Sequence, residues 1–369
     1  MTDPFTGRLL DVLRDGARAR GDVEDGAELR LADRLGIGRF LRFRTKEDSE
    51  SGEPDGERIL LGLELCFLKE AAEQLSEALA ARGVRHFFVK GMAVVDRLYG
   101  LGEREMADID LHVVPEAREA TLATLEELGY DISPDEEQSG PPALRSGLFA
   151  GRYGGSSPLQ YIGVDLAWGL DPVDRLLPRP DQAVPEEVWN SLDVSGTLPV
   201  PAIEHHVVLL IHHLVHHDML HFRGLVDLAL MWPNVVEESA GNIERVAKQL
   251  GVWRTTRLLA EVLRSNLRVS LVPPGAPPND WRGRRARKML DPVEWCIWAS
   301  HATEAEFVEI NKRRIRRRVL LIDDLLDFPN LVADALAPPR EYLAWRWPDA
   351  RSMWGARLTH LLRVAGKLF

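Results

Sequence analysis

Two carboxylates interrupt an otherwise apolar stretch of the chain, the segment ADIDLHVV at residues 107–114. Successive side chains of a strand point to opposite faces, so Asp108, Asp110 and His112 share one face and the apolar residues share the other. Two like charges on a half-buried face are costly unless a cation lies between them. Mg²⁺ or Mn²⁺, which prefer hard oxygen ligands and share them with phosphate groups, would supply that charge.

A third carboxylate and two cations complete the predicted site. Asp165 lies in YIGVDLAW, where Gly163 and Ala167 leave space on its own face. Lys90 and Arg104 are the cations expected to bind a triphosphate. Three carboxylates around two metal ions can hold the attacking and leaving oxygens of an in-line phosphoryl displacement. The predicted catalytic and metal-binding residues are therefore Asp108, Asp110 and Asp165.

A strand, a glycine turn and a helix must bring these groups together. VRHFFVKG at residues 84–91 predicts a short strand, and a helix is expected to begin just after Gly91. Backbone N–H groups at the start of a helix can bind phosphate oxygens, and a glycine there permits their close approach. ADIDLHVV then predicts the next strand, and the segments at 146–155 and 159–170 predict two more. The alternative phosphate-binding motif, a Walker P-loop, is absent from the sequence.

The remaining pattern predicts three regions. Residues 1–57 read as a helical segment that ends in an acidic loop, residues 58–200 as an α/β core, and residues 201–369 as a helical domain. The predicted fold class is therefore α+β, with a small mixed sheet flanked by helices and followed by an all-helical domain.

Bulk properties exclude several classes of protein. The net charge of −11 argues against a protein that coats nucleic acid. Cys66 and Cys296 lie in apolar contexts and are expected to be buried thiols rather than a disulfide. The sequence shows neither an apolar signal segment nor a run of 18 apolar residues, so we expect a cytoplasmic protein without membrane spans.

Two further clusters invite a functional interpretation. Seven of the 11 histidines fall within residues 205–221, and four-apart pairs such as His213 and His217 can bind zinc. A third ligand and the glutamate of an HExxH motif are missing, so we favour histidines that are structural or that line the cleft. The basic stretches 282–288 and 312–318 could bind an RNA or peptide acceptor, but a solvated helix face is favoured.

The stretch HFFVKGMAVVDRLYGLGEREMADIDLHVVPEAREATLATLEELGY, residues 86–130, resembles the bacterial uncharacterised nucleotidyltransferase family of the DNA polymerase β-like fold. VDLAW at 164–168 is similar to the family's VDLHW, which brings the third acid. IHHLVHHDMLHFRGLVDLAL at 211–230 is similar to a family helix that carries two histidines, an arginine and an aspartate. The resemblance extends over about residues 58–365 and implies a nucleotidyltransferase-type sheet.

The resemblance implies transfer of a nucleoside monophosphate from an NTP such as ATP to an acceptor hydroxyl, with Mg²⁺ or Mn²⁺ and release of pyrophosphate. A small molecule or peptide is the favoured acceptor. The alternatives are a toxin-like modifier of tRNA or protein, and a non-catalytic scaffold or antitoxin-type partner, which three intact carboxylates argue against. The residues expected to bind the nucleotide are Lys90, Gly91, Arg104, His213, His217, Arg223 and Asp227.

Two positions depart from the family pattern. Met92 follows Gly91 where serine or glycine is usual, which bears on triphosphate binding. Ala167 stands where histidine is common, which bears on the orientation of Asp165 or of the acceptor.

Overall fold

The structure, a computed structural model, describes most of the chain after residue 55. The predictions for residues 1–55, for His217 and for Cys296 concern residues outside the described ranges. The described ranges are 56–100, 103–132, 146–153, 161–175, 182–216, 222–265, 269–290, 314–350 and 352–368.

A four-stranded mixed sheet forms the first half of the fold. Its strands follow the order β1-β2-β4-β3, with β2 and β4 parallel in the middle and both outer pairs antiparallel. The alternation predicted for β2 is present, since Ile109 and Leu111 are fully buried on the face opposite the acids. The strands are β1 (His86–Phe88), β2 (Asp108–Val113), β3 (Gly147–Tyr153) and β4 (Tyr161–Ala167).

Helices flank this sheet and account for most of the other residues that the structure describes. The long helix α1 packs its leucines against the apolar face of the sheet. A small ribbon of two strands, β5 (Leu192–Asp193) and β6 (Val200–Pro201), leads into the helical half. The first helices are α1 (Gly56–Ala81), α2 (Lys90–Leu98), α3 (Arg118–Glu127) and α4 (Glu186–Asn190); the later ones are α5 (Ile203–His216), α6 (Phe222–Met231), α7 (Ala240–Gln249), α8 (Trp253–Ser265), α9 (Trp281–Met289), α10 (Arg314–Leu321), α11 (Phe328–Leu336), α12 (Arg340–Arg346) and α13 (Met353–Leu368).

The two halves share a hydrophobic core. Phe87 of β1 and Val94 of α2 belong to the same buried cluster as Leu210 of α5 and Leu225 of α6. A small mixed sheet with flanking helices and a helical C-terminal half confirms the predicted α+β fold. The shared core means that side chains of the helical half can reach the edge of the sheet.

The thiol of Cys66 was predicted to be buried, and that prediction was wrong. Cys66 is exposed on α1, where Ile59 and Leu63 are also exposed. The helix is apolar on several faces, so its pattern does not show which face is covered. Among the described residues, no helix combines the length and the apolarity needed to span a bilayer.

Candidate active site

A row of acidic side chains lies across the two central strands. Asp110 on β2 is the direct register partner of Asp165 on β4, and Asp108 is the partner of Gly163. Register partners on parallel strands point to the same face, so the three carboxylates are neighbours. The acids differ in solvent exposure: the Asp110 side chain is 8% exposed and the Asp165 side chain is 49% exposed.

The Lys90 ammonium lies between two of these acids. Its Nζ is 2.5 Å from Asp110 Oδ1 and 3.5 Å from Asp165 Oδ2. Strand pairing explains this position, because the Val89 N–H donates to the Asp110 carbonyl and so places Lys90 beside the row. Burial alone would lower the pKa of Lys90, but the surrounding carboxylates raise it, so the ammonium stays charged.

Burial also acts on the acids themselves. Loss of solvent raises the pKa of Asp110 to about 7, with the carboxylates of Asp165 and Asp108 adding to the rise and Lys90 opposing it. Burial raises the pKa of Asp108 for the same reason. One ammonium is thus set against three carboxylates, and the row would gain from further positive charge.

Lys90 has a strained backbone that a histidine of the helical half supports. Its φ is +49°, in the left-handed region that costs a non-glycine residue about 1–3 kcal/mol. The Lys90 N–H, at the start of α2, donates to His206 Nε2 of α5 at 3.1 Å. Burial lowers the pKa of His206 to about 4, so the imidazole is neutral and can accept this bond.

Sequence reasoning did not single out His206, which was one of the seven histidines expected to be structural or to line the cleft. Val89 offers no side-chain cap to α2, which is a local sign that the acceptor comes from elsewhere.

Arg104 is held by Asp227 rather than exposed to solvent. Its Nε and Nη2 donate to the two oxygens of Asp227 on α6 at 3.0 and 2.8 Å, and Tyr99 Oη donates to the same carboxylate at 2.5 Å. Burial would raise the pKa of Asp227, but the Arg104 guanidinium and these hydrogen bonds hold it below its usual value. A Cβ at Gly91 would lie 2.5 Å from Arg104 Nη1. The space at Gly91 is therefore filled by the guanidinium.

The other predicted nucleotide-binding residues are dispersed. Arg223 lies near the row, where its Nη1 donates to the Glu105 carbonyl at 3.3 Å and its charge lowers the pKa of Asp108. His213 is half-buried near the end of α5, while the same helix reaches the row through His206 at its beginning. The structure thus brings Arg223 toward the acids.

An imidazole stands at the end of the acid row, on the strand next to Ala167. His112 of β2 is the register partner of Ala167 and stacks on Phe87, with ring centroids 5.2 Å apart. Burial lowers the pKa of His112 to about 4, so this ring is neutral. Ala167 stands where the resemblance predicts a histidine, and His112 lies beside it on the adjoining strand.

The donor set of the row suits a divalent cation in its chemistry. Asp108, Asp110 and Asp165 offer hard oxygen ligands on one face, and their excess negative charge favours Mg²⁺ or Mn²⁺. Over the described residues, no three Asp, Glu, His or Cys side chains converge on one ion. The central position is taken instead by the ammonium of Lys90.

The arginines of the basic stretches are partly used by the fold. Arg318 is fully buried on α10, and Arg282 is buried on α9. Arg318 donates to the carbonyls of Val173, Arg175 and His216 at 3.0 to 3.2 Å. The expectation of a solvated face is therefore wrong for these two side chains, because each guanidinium binds carbonyl groups at the ends of other elements.

Comparison with known proteins identifies the family. The model of a family described as an uncharacterised nucleotidyltransferase matches residues 64–268, more than half of the 369 residues. The matched range contains the acid row, Lys90 and the Arg104–Asp227 pair. No curated protein matches the chain significantly. The chain therefore belongs to the uncharacterised nucleotidyltransferase family.

Proposed function

We propose that the protein transfers a nucleoside monophosphate from an NTP to the hydroxyl of a small molecule or peptide and releases pyrophosphate. The observation that carries this proposal is the register of Asp110 with Asp165, with the Lys90 ammonium between them. Carboxylates and a partly buried cation on one face of the central strands suit the charge changes of phosphoryl transfer.

Asp108, Asp110 and Asp165 would hold Mg²⁺ or Mn²⁺, which supplies positive charge to the oxygens of the reacting phosphate. Lys90 is close enough to the row to bind a phosphate oxygen once its carboxylate partners are otherwise neutralised. Arg104 would meet the triphosphate through Nη1, since Asp227 already holds Nε and Nη2.

The reaction forms a bond between the acceptor oxygen and the α-phosphorus as the bond to the β-phosphate bridging oxygen breaks. Pyrophosphate leaves with that electron pair. The hydroxyl proton passes to Asp165, whose side chain is the more exposed of the register pair and so is reachable by an acceptor.

Small molecules and peptides are favoured as acceptors over RNA. The buried Arg282 donates to the carbonyls of Val319, Ile322 and Asp323, and Arg318 is used in the same way. These guanidinium groups cannot also bind phosphates of an RNA backbone. Arg284, Arg285 and Lys288 remain exposed on α9, so the loss of Arg282 reduces the basic surface there by one side chain.

Labelled nucleotides test the proposal. The purified protein is incubated with Mg²⁺, each of the four NTPs in α-labelled or γ-labelled form, and a small-molecule extract of its host cells. We expect label from the α-phosphate in a new product and γ-label in pyrophosphate. Transfer of γ-label with accumulation of NDP would identify a kinase and refute the proposal.

A further inference from the structure

Two aromatic rings lie on the sheet face that carries the acids. Phe149 on β3 is the register partner of Asp165 on β4, and Tyr161 precedes Asp165 by four residues on the same face of β4. The ring centroids of Phe149 and Tyr161 are 6.1 Å apart and their planes differ by 23°. We call this pair the aromatic platform.

Two glycines let these rings lie close against the sheet. A Cβ at Gly163 would be 2.4 Å from Phe149 Cζ, and a Cβ at Gly151 would be 1.7 Å from the Tyr161 hydroxyl oxygen. Each ring therefore covers a position where any other residue would place a side chain. The space that the sequence predicted beside Asp165 at Gly163 is filled by an aromatic ring.

The platform lies on the open side of the acid row. Tyr161 is 39% exposed and the Asp165 side chain is 49% exposed, whereas Asp110 is buried. In the strand order β1-β2-β4-β3, Lys90 follows β1 and the platform occupies β4 and β3. The Lys90 side chain thus enters the row from the β1 side, whereas the aromatic rings lie on its β3 side.

An in-line displacement requires the attacking and leaving groups on opposite sides of the phosphorus. If the triphosphate is bound on the Lys90 side, as the proposed function has it, the acceptor must approach from the side of Asp165. The groups that meet it there are the two aromatic rings.

We propose that the aromatic platform binds the acceptor, and that the acceptor carries its reactive hydroxyl on a ring. This inference rests on the proposed function for its direction of attack. Aromatic side chains stack on planar rings and pack against flat apolar ring faces. The same chemistry is offered by a tyrosine of a peptide and by a free ring compound such as a sugar.

Binding of four small probes to the full chain tests this inference by saturation-transfer NMR. N-acetyltyrosinamide and N-acetylserinamide compare a hydroxyl with and without a ring in a peptide setting. Methyl β-glucoside and glycerol make the same comparison for free compounds. We expect one of the two ring probes to bind and its matched partner to bind much more weakly, and the probe that binds identifies the source of the ring.

The variants Phe149→Leu and Tyr161→Leu keep an apolar side chain and remove the stacking surface. We expect each substitution to lower the affinity for the ring probe that binds by roughly 5- to 10-fold. Trp281→Leu, which removes an exposed ring on α9, is the matched control and should leave probe binding unchanged. Melting curves of all three variants test whether each is folded.

Ring and non-ring probes that bind equally, or ring probes indifferent to both variants, would overturn the inference. The affinity for Mg²⁺-NTP should stay unchanged in Phe149→Leu; a tenfold loss there, with probe binding intact, would assign the platform to the nucleotide base instead. If the wild-type protein transfers no α-label but ring probes still depend on Phe149, the proposed function fails while the platform stands as a ring-binding site.

Discussion

The acid row and two buried arginines, Arg282 and Arg318, which we call the arginine clamps, are two groups of charged side chains. They differ in how their charges are paired. In the row, three carboxylates face the single ammonium of Lys90. In the clamps, each guanidinium donates to three backbone carbonyls and is buried. The row keeps uncompensated charge on a partly open face, whereas the clamps direct their hydrogen bonds into the fold.

The difference shows why charge in a sequence does not by itself identify a binding surface. Arg318 lies in a run of basic residues that suggests nucleic-acid binding, yet its hydrogen bonds join the end of α5 to the segment after β4. Asp110 is a carboxylate in an otherwise apolar strand, yet it forms part of the acid row. The partners of a charged group decide whether it stabilises the fold or is left for a ligand.

The largest expected effect is the loss of turnover in Asp110→Asn. The amide keeps the shape of the side chain and removes its charge, so transfer of α-label should fall on the order of 10²–10³-fold. Stability should not fall, because the neutral amide is easier to bury. Asp96→Asn, which breaks an exposed pair with Lys69, is the matched control and should retain full activity. Equal rates of α-label transfer in the two variants would show that the acid row takes no part in the reaction.

Arg318→Met should reveal the structural role of the clamps. One buried and two partly buried carbonyls lose their donor, and we expect the free energy of unfolding to fall by about 3 kcal/mol. Arg285→Met makes the same substitution at an exposed site of α9 and should change stability by less than about 0.5 kcal/mol. Urea denaturation of both variants measures the difference. A near-zero effect at Arg318 would show that the carbonyls find other partners.

The buried histidines should make the free energy of unfolding depend on pH. Burial lowers the pKa of His212 to about 3, while the unfolded chain has its usual value of 6.5. Between these values the unfolded chain binds more protons, so stability falls as the pH falls from 6.5 toward 4. His212→Gln should reduce that slope by up to about 1.4 kcal/mol per pH unit.

The difference between wild type and His212→Gln isolates this contribution. The raised pKa of Asp110 acts in the opposite direction and cancels in the comparison. Urea denaturation at pH 7, 6 and 5 measures it. Parallel curves for the two proteins would show that the His212 ring gains protonation partners on folding.

A smaller effect is expected for Gly91→Ala. The new Cβ would lie 2.5 Å from Arg104 Nη1, so the guanidinium must shift away from the start of α2. We expect the KM for NTP to rise about tenfold, since such overpacking costs about 1–3 kcal/mol. Gly241→Ala, on α7 with no atom within 4 Å of the new Cβ, should leave the KM unchanged. An unchanged KM in Gly91→Ala would show that Arg104 does not contribute to NTP binding.

Local patterns in the sequence were sufficient to predict the sheet and the acid row. A period of two around Asp108 and Asp110 is a property of one strand, and a matching pattern around Asp165 predicts its neighbour. The helical half followed from its longer period. These features depend on residues close in the chain, which is why they can be read without a structure.

Contacts between distant residues were not predictable in this way. His206 accepts a hydrogen bond from Lys90, which lies 116 positions away in the chain. Asp227 accepts hydrogen bonds from Arg104, which lies 123 positions away. The aromatic platform depends on the register of β3 with β4, which the sequence left open. Nothing in the local pattern of Arg104 shows that Asp227 binds two of its three guanidinium nitrogens.

Electron density for a bound nucleotide would test the role of the acid row most directly. The full chain is crystallised with Mn²⁺ and a non-hydrolysable NTP analogue, and the metal is located by its anomalous signal. We expect Mn²⁺ beside Asp108, Asp110 and Asp165, the Lys90 ammonium moved from Asp110 to a phosphate oxygen, and the α-phosphate facing Asp165. A triphosphate bound away from the row, or an ion pair of Lys90 and Asp110 that persists beside a bound nucleotide, would contradict the assignment.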